Sequence, residues 1–176
     1  GRKLADDLGE ELSVALTSDQ TSDAATQSAS AGAEVVYVAE NPLLAGFQIE
    51  AQLIALEHVV KEIAPSIILI SRTTNGRDLG PRLAFRLGLG IAFDCIELNI
   101  DSNTKDFTAV RPVYGGNAAA RISLKGYPRI AVVRPKIFEP ADEKSGKEAK
   151  VSKIEVSIDP SQVVTRHIES VKEESS

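Results

Sequence analysis

The sequence predicts an α/β domain: an open, mostly parallel sheet flanked by helices, with added antiparallel strands in its second half. Three observations point there. A strand, an amphipathic helix and a second, wholly apolar strand follow one another across residues 34–70. A glycine-containing connection then leads from that strand into another helical pattern. Beyond Gly90 the helical period stops, and four short strand-like runs follow, separated by turn signals.

Arg2–Leu8 reads as a short helix, because Leu4, Ala5 and Leu8 share one face and Gly9 stands where a C-terminal cap belongs. Residues 12–16 make a strand, and the Ser/Thr/Ala/Asp-rich stretch 17–33 is a loop or a weak helix. The β-branched run 34–39 is a second strand. Over 45–63 the positions Phe47, Ala51, Ile54, Ala55, His58, Val59 and Ile63 step in threes and fours, an amphipathic helix that stops before Pro65. Ser-Ile-Ile-Leu-Ile at 66–70 lacks polar alternation, which suits a strand buried on both faces of a parallel sheet. The connection 71–78 is expected to be a loop, followed by a helix over 81–87 with Asp78 as cap and Pro81 in the first turn; Gly88 and Gly90 end it.

The four later runs are 93–100, 107–113, 118–124 and 129–134, and the turns between them suggest antiparallel or mixed pairing. The organisation expected is one domain over 1–138, a linker over 139–150, and edge strands with a polar tail over 151–176. Within that last part, 153–158 and 163–168 alternate like strands.

Composition narrows the function classes. With 43% hydrophobic and 26% charged residues, the chain of 176 residues can bury one core. The longest stretch free of Asp, Glu, Lys and Arg is 24–33, whereas a membrane-spanning helix needs about 20 mostly apolar residues, so no membrane insertion is expected. Cys95 is the single cysteine, which rules out an internal disulfide and a cysteine-based zinc site. No signal-peptide core follows the N-terminus, so the chain reads as intracellular; with no methionine anywhere, it is expected to be processed or cut from something longer.

The net charge of −5 argues against a nucleic-acid surface but hides a division. From Arg72 to Arg134 there are ten basic and five acidic residues, and eight of the ten arginines lie there. Guanidinium forks suit carboxylates and phosphates.

The strand, glycine connection and helix at 67–87 have the outline of an anion site, with Thr73 and Thr74 as hydroxyl donors, Gly76 at the turn, Arg77 able to reach a phosphate or carboxylate, and Asp78 as cap. The segment is neither a P-loop nor a dinucleotide fingerprint, since no Lys-Ser or Lys-Thr follows the glycines and their spacing differs. Arg82 and Arg86 share a helix face and point to an acidic surface or a partner. Gly115 and Gly116 permit a close approach by another backbone. Arg111 and Arg134 each precede a proline, which biases both to extended geometry. An Asp94 buried in its apolar run needs a partner, Cys95 is a small apolar filler, and His58 and His167 are structural. No metal cluster and no nucleophile, base and orienting group are legible, so a hydrolase or transferase is disfavoured.

Read as one ordered set, Thr73-Thr74-Asn75-Gly76-Arg77-Asp78-Leu79-Gly80-Pro81-Arg82-Leu83-Ala84, then Asp94-Cys95, then Arg111-Pro112-Val113-Tyr114-Gly115-Gly116-Asn117-Ala118, then Val132-Val133-Arg134-Pro135 resemble the N-terminal domain of the electron transfer flavoprotein alpha subunit family. The likeness covers roughly residues 4–138. It implies a Rossmann-type three-layer fold like that of the adenine-nucleotide hydrolases, and a parent protein that passes electrons from dehydrogenases to an acceptor through FAD, as a heterodimer with a beta subunit. A first strand precedes the opening helix in that family, and the flavin-binding C-terminal domain begins about where this chain stops.

The chain is therefore expected to be a scaffold of an electron carrier rather than an enzyme, cytoplasmic or, in a eukaryote, in the mitochondrial matrix. It would dock the beta subunit through Arg82, Arg86, Arg111, Gly115, Gly116 and Arg134, and FAD is not expected to stay on it alone. The alternative is a stand-alone adenine-nucleotide binder using Thr73, Thr74, Gly76, Arg77 and Asp78.

Overall fold

The computed structural model describes residues 1–140, 148–165, 168, 169 and 171. Its helices are α1 (Arg2–Leu8), α2 (Ser22–Ser30), α3 (Ile49–Ile63) and α4 (Thr74–Arg86). Its strands are β1 (Ser13–Ser18), β2 (Val35–Glu40), β3 (Ile67–Ser71), β4 (Ile91–Cys95), β5 (Glu97–Ile100), β6 (Phe107–Val113), β7 (Ala118–Ser123), β8 (Arg129–Val133) and β9 (Lys150–Lys153). They form three three-stranded sheets: parallel β1-β2-β9, parallel β3-β8-β4 and antiparallel β5-β6-β7. Parallel layers flanked by helices, with an antiparallel sheet in the second half, are the architecture expected from the sequence.

Alternation along β1 and β2 divides the first sheet between two helices. Val14, Leu16, Val36 and Val38 meet Ala25 on the α2 side. On the other side, Tyr37 and Ala39 meet Ala51, Ala55 and Val59 of α3. The second sheet has α4 on one face, where Leu83 and Ala84 are buried, and the antiparallel sheet with α1 on the other, where Leu4, Ala92, Cys95, Phe107 and Ala131 form one cluster.

Three expectations need correction. The segment 71–78 is not a long loop: Thr73 caps α4, which starts at Thr74, so Asp78 is not the cap and Pro81 lies inside the helix rather than in its first turn. The run 129–134 makes the pairing of the later strands mixed: β8 inserts in parallel between β3 and β4. The run 93–100 is two strands in different sheets. At the C-terminal end, the pairing strand is Lys150–Lys153, from the last residue of the expected linker to the first of the expected strand 153–158, and it joins β2 in parallel. Past it, Ile154, Val156 and Ile158 are buried, while a 3-10 turn at Pro160–Gln162 takes the place of further edge pairing. The stretch 17–33 settles as the weak helix α2. Residues 141–147 of the linker, and His167, lie outside the described residues.

β3 departs from expectation in a further way. Its continuous apolar run is only half-buried, because β3 pairs with β8 alone and β1 with β2 alone. Between the two lies a cavity of about 570 Å³, walled by Val14, Ala15, Ile68 and Ile70 and floored by Val59 of α3 and Leu83 of α4. The N-terminal ends of both strands, residues 12–13 and 66–67, line one adjoining pocket, so β1 and β3 run the same way on either side of it.

Candidate functional site

The carboxyl ends of β3, β8 and β4 converge, as ligand-bearing ends do in open α/β sheets. The ladder is extended past each strand: Arg72 N–H donates to the Val133 carbonyl at 2.8 Å, and Arg134 N–H donates to the Cys95 carbonyl at 2.9 Å. Arg72 and Arg134 therefore leave adjacent strand ends and turn toward Asp94. Arg134 holds the Asp94 carboxylate with both prongs, Nε to Oδ1 at 3.0 Å and Nη2 to Oδ2 at 2.6 Å. Arg72 Nε lies 2.9 Å from Oδ1 as a charge contact without hydrogen-bond alignment.

Asp94 occupies the left-handed region at φ 63, at a bulge where the β4–β8 register shifts between Phe93 and Cys95. Aspartate tolerates that conformation better than most residues, and the bulge redirects its side chain. The Arg134 hydrogen bonds hold the Asp94 carboxyl below the usual carboxylate range against the opposing effect of burial, and the charges of Arg134, Arg72 and Arg111 add to this. Arg111, on β6, lies beside this cluster; its Nε is buried and completes no hydrogen bond. Cys95 is fully buried, and burial pushes its thiol up to about 11, which leaves it an unreactive filler at neutral pH.

The start of α4 lies two residues past β3. Thr73 Oγ1 accepts from Gly76 N–H at 3.1 Å, which engages one hydroxyl and one amide of the expected anion site. Gly76 is needed for packing: a Cβ there would collide with the Ser71 carbonyl oxygen. Arg77 and Asp78 are exposed and face each other at 3.6 Å. Thr73 is thus engaged in capping and Gly76 packs against Ser71, and no step of flavin chemistry is assigned to the segment 71–78.

The residues expected at an interface separate. Arg86 Nε pairs with Glu57 of α3 at 2.6 Å, and Arg134 is engaged by Asp94, so both brace the domain. Arg82 is exposed. Tyr114, Gly115 and Gly116 form an exposed tip between β6 and β7, with Tyr114 at φ 51, Gly115 at φ 68, Gly116 at φ 96, and Asn117 Nδ2 donating back to the Tyr114 carbonyl at 3.0 Å. Arg72 went unnoticed in the sequence; the signal for it was Asp94, an acid inside an apolar run that needed cations. His58, exposed, faces Glu62 at 3.5 Å. Among the described residues, no group of three or more His, Cys, Asp and Glu gathers to hold a metal, and no helix is long and apolar enough to cross a membrane.

Parallel layers flanked by helices, with charged residues at the strand ends and an added antiparallel sheet, define an open α/β domain. Residues 1–159 match the family model described as the electron transfer flavoprotein domain, and the chain belongs to that family. It is 36% identical over 175 residues to the electron transfer flavoprotein subunit alpha of Clostridium acetobutylicum, covering 98% of this chain and 52% of that protein. It is 34% identical to the protein FixB of Clostridium saccharobutylicum, over 98% of this chain and 51% of that one. The acryloyl-CoA reductase electron transfer subunit beta of Anaerotignum propionicum is 34% identical, over 96% of this chain and 49% of its own length. The chain thus spans about half the length of the curated relatives it matches. Two of these relatives are named as electron-transfer subunits, and the family is one of flavoproteins.

Proposed function

We propose that the chain is the scaffold half of an alpha-type subunit of a flavin electron carrier. It docks a beta subunit and supports the part of the protein that holds FAD, which accepts electrons from a dehydrogenase and delivers them to an acceptor. The observation that carries this reading is the family match across residues 1–159, joined to relatives that are electron-transfer subunits over 98% of this chain. Three features support it. Tyr114 and Phe85 are exposed, and Arg77 and Arg82 are unburied. The curated relatives are about twice as long, which leaves room for a flavin domain. The slot between β1 and β3 is walled largely by apolar side chains, which suits the strand that the family resemblance puts ahead of α1.

The docking set proposed is Arg77, Arg82, Tyr114, Gly115 and Gly116, with Arg111 half-buried behind the tip and Arg86 and Arg134 as internal braces. The test is co-expression with a beta-type subunit, followed by gel filtration and a visible spectrum after adding FAD and desalting. Co-elution of the two chains, with flavin washing off this chain alone, is the expected result. Separate elution of the two chains overturns the docking reading. A yellow, flavin-retaining chain by itself overturns the division of labour.

A further inference from the structure

The arginine cluster at the strand ends carries more positive charge than its own carboxylate neutralises. Arg72, Arg111 and Arg134 gather at Asp94, leaving a formal surplus of two positive charges in a partly buried place. The side chains of Arg72 and Arg134 are only about a third exposed, and that of Asp94 is 16% exposed. Charge held this far from water calls for a counter-charge, and guanidinium N–H groups without acceptors call for oxygen atoms. Both Arg72 Nε and Arg111 Nε are buried and complete no hydrogen bond. Asp94 cannot serve all three forks: Arg134 takes both of its oxygens in aligned bonds. The three guanidiniums come from three different elements, the ends of β3 and β8 and the middle of β6, so their convergence is a product of the fold and not of one charged segment.

We propose that Arg72, Arg111 and Arg134 form a phosphate-binding site at the carboxyl end of the β3-β8-β4 sheet. A phosphate dianion balances the surplus and brings several acceptor oxygens, enough for the N–H groups that Asp94 leaves unmet. Asp94 is the positioning residue: by clamping Arg134 and drawing in Arg72, it fixes two of the forks, while Arg111 is held by no carboxylate hydrogen bond of Asp94. The source is either inorganic phosphate or the terminal phosphate of a small phosphoester, and the chemistry at the arginines is the same.

The test uses the full chain labelled with 15N-arginine, whose Nε–H resonances report each guanidinium separately. Sodium phosphate is titrated at constant ionic strength against sodium chloride, and AMP is titrated in a parallel arm. A saturable shift of the Arg72 and Arg111 signals with phosphate, absent with chloride, supports the site. Saturation by AMP at lower concentration than by phosphate assigns the phosphoester as the source; equal or weaker saturation assigns the free ion. Arg111→Lys keeps the charge but loses the fork and is expected to weaken binding at least about tenfold. Shifts that chloride reproduces, or full binding by Arg111→Lys, overturn the proposal. Should that variant fail to fold, thermal unfolding of the unmodified chain decides: a Tm that climbs with the logarithm of phosphate at fixed ionic strength supports it, and a flat Tm overturns it.

Discussion

Asp94 concentrates what single residues contribute here: a left-handed backbone, a bulge, and one carboxylate in contact with two arginines. Because its carboxyl is held below the usual carboxylate range, the stabilisation it brings is complete above the unfolded value of about 4 and fades as pH falls through the lower folded value. Asp94→Asn, which keeps the backbone preference but removes the charge, should therefore unfold at lower temperature than the parent at pH 7. The gap should close as the pH drops below about 4, as followed by thermal melts across that range. Cys95 gives a second readout: with its thiol buried and raised to about 11, it should react with a thiol reagent at neutral pH only at the rate of unfolding. A fast reaction in the native state would mean that the β4–β6 packing opens on its own. The need of Asp94 for a partner was legible in the sequence, since an acid in an apolar run must be neutralised. Which arginines answer it was not, because they lie far apart in the chain and meet only once β8 enters between β3 and β4.

Among the elements, α4 shows how local signals compete. Asp78 and Pro81 look like a helix start, yet Thr73 takes the cap by accepting from Gly76 N–H, and the glycine-rich first turns lie directly on the sheet. Gly76 faces a backbone oxygen of Ser71, whereas a Cβ on Gly80 would meet the Cγ2 methyl of the fully buried Val132 at 2.5 Å, so that side chain has to shift. Gly76→Ala is accordingly expected to destabilise by ~1–3 kcal/mol, and Gly80→Ala by less, in denaturant titrations. The same helix separates packing from charge. Leu83 is fully buried, so Leu83→Ala should lose ~2–5 kcal/mol. Arg86→Ala, at a surface pair with a Glu57 that also accepts from Lys61 at 2.7 Å, should lose under ~1 kcal/mol. Amphipathic periods made α3 and the body of α4 legible from sequence. The start of α4 was not, since a threonine cap three residues before a glycine is decided by how closely the turn must approach the strand beside it.

At the scale of the whole molecule, the parallel layers and the later antiparallel sheet follow from apolar runs and turn chemistry. The break between the two parallel sheets does not, because alternation within a strand says which faces are buried and nothing about which edges are paired. The register identifies those edges. Leu12 and Ser18 carbonyls accept from Glu34 and Asn41, so Ser13, Ala15 and Thr17 turn their peptide groups away from β2. Ser66 accepts from Arg129 and Arg72 donates to Val133, so Ile67 and Leu69 turn theirs away from β8. Amide exchange at Ser13, Ala15, Thr17, Ile67 and Leu69 should therefore outpace exchange at Val14, Leu16, Ile68 and Ile70, and equal protection of both sets would mean that the slot is closed in solution. The two edges are templates facing each other, with no lysine or proline on either β1 or β3 to blunt them. An extended segment lying between β1 and β3 would meet two rows of peptide groups at once, one from each strand.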